Sequence, residues 1–151
     1  MSSSIIKKVS IYSDGSSLGN PGPGGWGTIL KYNNTTKEIS GGDSYTTNNK
    51  MELQGIIEGL KLLKEPCEVE LISDSKYVVQ GINQWLNNWI KNNWKTASKK
   101  DVKNIQLWQE FIKVSQIHII KAIWVKGHNG HSENERCDQL AKDEANKLKE
   151  R

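Results

Sequence analysis

Hydrophobic and polar positions alternate at the start of the chain, with Val9 and Ile11 sharing one face between Lys7 and Tyr12, the period-two pattern of a half-buried strand. The pattern ends at Asp14, and the glycine-rich run over residues 15–25 reads as a loop leaving that strand. Residues 26–32 and 36–45 are two more extended stretches, divided by the turn signal Asn33-Asn34, so three antiparallel strands in a meander are predicted. The period then changes. Leu53, Ile56, Ile57, Leu60 and Leu63 recur at helical spacing until Pro66 closes the element. Residues 68–73 read as a short strand ending at Asp74, residues 75–85 as a helix, residues 104–115 as a helix with Ile105, Trp108, Phe111 and Ile112 on one face, and residues 117–125 as a strand. The last helix opens with Ser132 and Glu135 at the spacing of a capping box, and Cys137, Leu140, Ala141, Ala145 and Leu148 face the core.

This order predicts an α/β fold: a five-stranded mixed sheet, three antiparallel strands then two parallel ones, flanked by helices. The strand–helix–strand step implies a right-handed crossover and parallel pairing with the first strand. No repeat, linker or low-complexity segment interrupts residues 1–151, which read as one domain. Asp14 and Asp74 then lie at the carboxyl ends of parallel strands, where open α/β sheets place their ligands. Glu52, in the first turn of its helix, aligns with Ile56, Gly59 and Leu63, and Asp138 lies at the edge of the last helix's apolar face. Singly, each acid has a plain structural explanation as a strand end, a helix start or a surface residue. Jointly, four carboxylates beside apolar runs need compensation, from a basic partner or a bound cation. All-oxygen ligation selects Mg²⁺ or Mn²⁺ over zinc, and one or two such ions suit phosphodiester hydrolysis.

Charge adds a location. The formal net charge is +4, and the segment from Trp85 to Lys103 holds Lys91, Lys95, Lys99, Lys100 and Lys103 against a single acid, Asp101. Such a block is the footprint of a polyanion site. Its lysines are candidates for phosphate contacts, while Trp85, Trp89 and Trp94, near helical spacing, suit core packing as well as contact. Cys67 and Cys137 show no paired spacing, which points to a reducing compartment, and the amino terminus lacks a signal-peptide apolar stretch. No run approaches the roughly 20 apolar residues that span a bilayer. A cytoplasmic protein without a membrane partner is expected, with a monomer as the default.

Two other readings use the same residues. His128 and His131, followed by Cys137, supply three zinc-type ligands, but no fourth is near. A loop histidine beside the acidic site, with an ordinary pKa near 6.5 suited to proton transfer, is the competing assignment. The run over residues 15–27 invites comparison with a phosphate cradle, yet it lacks the Gly-Lys-Ser/Thr ending and precedes no helix.

Four longer motifs carry a resemblance. Tyr-Ser-Asp-Gly-Ser-Ser-Leu-Gly-Asn-Pro-Gly-Pro-Gly-Gly, Thr-Thr-Asn-Asn-Lys-Met-Glu-Leu, Ser-Asp-Ser-Lys-Tyr-Val and Val-Lys-Gly-His-Asn-Gly-His-Ser-Glu-Asn-Glu-Arg-Cys-Asp together resemble bacterial type 1 ribonuclease H over nearly the whole chain. The resemblance implies a ribonuclease H-like fold and a metal-dependent endonuclease that cuts the RNA strand of RNA/DNA hybrids, leaving 5′-phosphate and 3′-hydroxyl ends. It implies roles in removing replication primers and resolving hybrids. By position, Asp14, Glu52, Asp74 and Asp138 match the family's metal-binding catalytic carboxylates, and His128 its histidine that assists proton movement or product release. Asn20, Thr47, Asn48 and Asn49 match polar positions near the substrate backbone, which read duplex shape rather than base sequence. The segment bearing Trp85, Lys91, Lys95, Lys99 and Lys100 matches the family's basic protrusion, although Ile90-Lys91-Asn92-Asn93 is poorer in basic residues than is typical there. Because the chain begins almost directly with its first strand, the free-standing bacterial form is expected. Integrases and junction resolvases share this kind of sheet and acidic site, but the Asn-rich helix start and the Lys-Gly-His loop argue against them. A hybrid-binding module without cleavage is a third reading, disfavoured because acids near phosphates bring a pure binder only repulsion.

Overall fold

The computed structural model describes residues 6–127 and 132–149. Strands β1 (Lys7–Ser17), β2 (Gly22–Tyr32) and β3 (Thr35–Thr46) pair antiparallel, and β4 (Cys67–Ser73) and β5 (Ile119–Trp124) add in parallel on the other side of β1. The sheet order is β3-β2-β1-β4-β5. Helix α1 (Asn48–Lys61) packs on one face of β1 and β2, with α4 (Ile105–Ser115) against it, and α5 (Ser132–Lys149) lies over β1, β2 and β3. Between β4 and α4, α2 (Lys76–Gln80) passes through a wider π turn at Gly81–Trp85 into α3 (Leu86–Lys91).

The expected mixed sheet is what forms, with two corrections to its pieces. The glycine-rich run is not a loop. β1 continues to Ser17 and β2 begins at Gly22, so most of these glycines are in strand, joined by a short turn. The reason is tertiary. Neighbouring Gly24 and Gly25 point to opposite faces of the sheet. A Cβ on Gly25 would overlap the Ala141 carbonyl oxygen of α5, and one on Gly27 would lie 2.5 Å from the Cys137 carbonyl oxygen. Helix α5 therefore rests its backbone on β2, at a distance only glycine permits. The helix expected to end at Trp85 instead runs on to Lys91, because nothing breaks it and Leu86 and Trp89 continue the core-facing stripe.

The core lies between the sheet and α1, α2 and α4, where Ile11, Leu53, Ile56, Ile57, Leu60, Val69, Leu71, Val78 and Trp108 are fully buried. Each such side chain contributes on the order of 1.5–3 kcal/mol of burial. In β4, Cys67, Val69, Leu71 and Ser73 face this core while Glu68 and Glu70 are exposed. The tyrosine hydroxyl of Tyr77 ties the α4 side to α2, accepting from Trp108 Nε1 at 2.9 Å and Asn104 Nδ2 at 3.0 Å.

Candidate metal centre

The parallel register of β1 with β4 ends at the pair Ser13 and Ser73, so the next residues, Asp14 and Asp74, emerge side by side at the carboxyl edge. Glu52 arrives from α1. Thr47 caps that helix, its hydroxyl accepting the Lys50 N–H at 3.3 Å, and Glu52 falls in the second turn rather than the first. Gly15 sets the approach: a Cβ there would overlap the Glu52 backbone nitrogen and lie 2.5 Å from the Met51 carbonyl carbon. With α1 pressed this close to β1, one carboxylate oxygen each from Asp14, Glu52 and Asp74 lie within 4.8 Å of one another.

These charges repel. Burial first, then Asp74 and Asp138, push the Asp14 carboxyl up to about 8, against an ordinary value near 4. Burial and then Asp14 and Asp74 likewise hold Glu52 well above the carboxylate range. Glu52 Oε2 is buried with no hydrogen-bond partner. An orphaned buried oxygen of this kind costs about 1–3 kcal/mol unless a ligand satisfies it. Three hard oxygen donors with one lone pair unclaimed fit a divalent cation of the Mg²⁺ and Mn²⁺ type.

The fourth expected carboxylate stands slightly apart. Asp138, half-buried on α5, comes within hydrogen-bonding reach of Asp14, but its Oδ2 pairs with Lys142 Nζ at 2.9 Å, and it does not join the group of three. Two further neighbours were not singled out in the sequence. The Trp124 indole donates to the Asp74 carbonyl oxygen at 3.1 Å, and a Cβ on Gly127 would come within 2.8 Å of Asp74 Oδ2. Gly127 lies in the Lys-Gly-His motif, directly before His128. His128 lies outside the described residues, as does His131. Cys137, the third zinc-type candidate, is fully buried under β2, and burial raises its thiol pKa, which opposes the thiolate that zinc requires.

The polar candidates interlock the helix start with the β1–β2 turn. Asn48 Oδ1 accepts from Ser17 N at 2.7 Å and Ser17 Oγ at 3.1 Å, and the Asn48 N–H donates to Asn20 Oδ1 at 3.3 Å. Asn49 is exposed on the same first turn. On the basic segment, Trp85 is partly buried, with its ring 5.9 Å from Trp89 and 6.5 Å from Tyr77. Lys91, Lys95, Lys99 and Lys100 are all exposed, and Lys95 is also bridged to Asp101 by both backbone and side chain.

A family model described as RNase H matches residues 6–146. The chain belongs to the ribonuclease H family. Ribonuclease H of Sulfurovum sp. (strain NBC37-1) is 57% identical over 143 residues, which cover 95% of this chain and 94% of that protein. Ribonuclease HI of Helicobacter pylori (strain ATCC 700392 / 26695) is 57% identical over 142 residues, covering 94% of this chain and 96% of its own. Among solved structures, LC9-RNase H1, a type 1 RNase H with the type 2 active-site motif, superposes with a TM-score of 0.87 at 31% identity, covering 97% of this chain and 76% of that one. Metal dependence is a property of the ribonuclease H family, and Asp14, Glu52 and Asp74 offer three carboxylate oxygens close enough to share one ion. Among the described residues no helix is long and apolar enough to cross a membrane.

Proposed function

We propose that this chain is a hybrid-specific endoribonuclease that hydrolyses the RNA strand of RNA/DNA duplexes to 5′-phosphate and 3′-hydroxyl ends, with Mg²⁺ as its cation and Mn²⁺ as a substitute. One observation carries the reading: in a member of the ribonuclease H family, three carboxylates meet within 4.8 Å, one of them with a buried, unpartnered oxygen. Asp14, Glu52 and Asp74 hold one or two divalent ions, and Asp138 completes the set from α5. When bound, such an ion supplies the positive charge that activates water and stabilises the departing 3′-oxygen. Water adds to phosphorus as the bond to the 3′-oxygen breaks, and His128 takes part in the proton movements. Asn20, Thr47, Asn48 and Asn49 fix the backbone of the hybrid, so that its shape is read rather than its bases. Trp85 and the exposed lysines Lys91, Lys99 and Lys100, with Lys95 beside them, carry the rest of the duplex.

Residues 1–151 act as one domain, a cytoplasmic monomer that removes primers and R-loops. Support for the location comes from two cysteines that are both free and buried.

The test is cleavage of a hybrid with labelled RNA, beside RNA/RNA and DNA/DNA duplexes, in Mg²⁺ and in chelator, for wild type and Asp14→Asn. Metal-dependent cutting confined to the RNA of the hybrid, and lost in the variant, is expected. Tight hybrid binding with no cutting in Mg²⁺ or Mn²⁺ would make this a recognition module instead.

A further inference from the structure

Asp138 is held by a cation of the protein's own. Lys142 follows it by one turn of α5, and the pair closes at 2.9 Å in the acid-before-base i,i+4 order that suits a helix. The Lys142 side chain is 52% exposed and that of Asp138 23%, so the pair sits at the rim rather than in the core. An ordinary surface pair at this spacing contributes little to stability and has no further consequence. This one differs in what it holds. Asp138 reaches Asp14, Lys142 lies within electrostatic reach of Asp14, and the three clustered carboxylates meet without Asp138.

We propose that Lys142 is the resident counter-cation of the acidic site: it pairs with Asp138 in the metal-free protein and competes with the divalent ion for that carboxylate. Lys142 thereby sets the metal concentration at which the site loads. The inference rests on the reading of these carboxylates as metal ligands. Two cations seek the same oxygen, and removing the unit charge of the lysine from a half-exposed site tightens divalent binding by about three- to tenfold.

The experiment is calorimetric titration of the full chain with Mg²⁺, and separately Mn²⁺, in the absence of nucleic acid. Wild type, Lys142→Ala, Lys142→Arg, Asp138→Asn and the double variant Asp138→Asn/Lys142→Ala are compared, with Asp14→Asn as the control. Lys142→Ala is expected to bind metal about three- to tenfold tighter, Lys142→Arg to bind like wild type, and Lys142→Ala to change little once Asp138 is Asn. In chelator, Lys142→Ala should melt below wild type because the repulsion around Asp138 is no longer relieved. A small drop in melting temperature with unchanged or weaker metal affinity would reduce the pair to a helix contact and overturn the proposal. An equal gain in the Asp138→Asn background would also overturn it, since the lysine would then act on the site's overall field rather than on Asp138. If wild type binds metal no better than Asp14→Asn, the metal reading itself falls, and this inference with it.

Discussion

Asp14 is 7% exposed and shares its surroundings with Asp74, Glu52 and Asp138, so ionising it in the metal-free protein places charge where burial and neighbours both oppose it. Asp14→Asn removes that conflict along with a ligand. The variant should lose hydrolysis while melting higher than wild type in chelator, by about 2–4 °C for each kcal/mol relieved in a chain of this size. A lower melting point would mean that the carboxylates do not crowd one another. The advantage should also depend on pH. A carboxyl whose folded pKa, about 8, exceeds its unfolded value near 4 stabilises the fold fully below about pH 4, and that contribution is lost as pH rises through 8. The melting-temperature gap between Asp14→Asn and wild type should therefore be small at about pH 4–5 and widest above pH 8. Taking the difference matters because His118 works in the opposite sense. Its Nδ1 accepts the Cys67 N–H at 3.0 Å and burial lowers its pKa, so stability from that contact is present above about pH 6.5 and fades on acidification. Differential scanning across this range for both proteins, in chelator, tests the prediction; a gap independent of pH would refute it.

Helix α5 carries Asp138 to the site, and its height above the sheet is set by glycine. Because a methyl on Gly27 would sit 2.5 Å from the Cys137 carbonyl oxygen and 2.6 Å from Leu140 Cβ, Gly27→Ala must lift the helix or bend β2. Overpacking of this kind costs about 1–3 kcal/mol. The prediction is a lower melting temperature together with weaker metal activation, since Asp138 moves with the helix, and Gly27→Ala with unaltered stability and activity would show that α5 is not seated by this contact. The same contact explains what the sequence concealed. Locally, a run of glycines says loop, and only the helix lying across it, more than a hundred residues later in the chain, turns it into strand. By contrast Asp14, Glu52 and Asp74 were legible because strand and helix periodicities end or turn next to them, and two parallel strands must finish at the same edge. Lys142 was not, because an i,i+4 acid–base pair is an ordinary helical surface feature until the acid's other neighbour is known. Gly127 was not either: its closeness to Asp74 is a loop crossing a strand end, with no local pattern to announce it.

Over the whole molecule, the acidic centre at the sheet's carboxyl edge is complemented by a basic segment built on the aromatic end of the core. Tyr77, Trp85, Trp89, Trp108 and Phe111 meet in tilted and edge-to-face contacts with ring centroids 5.4–6.5 Å apart, and Val102 is buried where the segment returns, its N–H donating to the Trp94 carbonyl at 3.1 Å. The segment is thus anchored, and its lysines present charge from a fixed base. They are not equivalent. Lys91, Lys95, Lys99 and Lys100 are all exposed, but Lys95 is engaged by Asp101. If the other three contact phosphate, each contributes roughly −0.7 to −0.9 to the slope of log affinity against log salt. Replacing Lys91, Lys99 and Lys100 by Ala should then flatten the slope by about 2–3 and raise KM more than it lowers kcat, since the lost interactions hold ground state and transition state alike. Lys95→Ala alone should change the slope by less than one contact, because Asp101 already neutralises it. Hybrid binding measured by fluorescence anisotropy from low to moderate salt, in chelator to prevent cleavage, separates the two. An unchanged slope in the triple variant would remove the segment from the binding face, and an effect of Lys95→Ala as large as a full contact would mean that the hybrid takes Lys95 from Asp101.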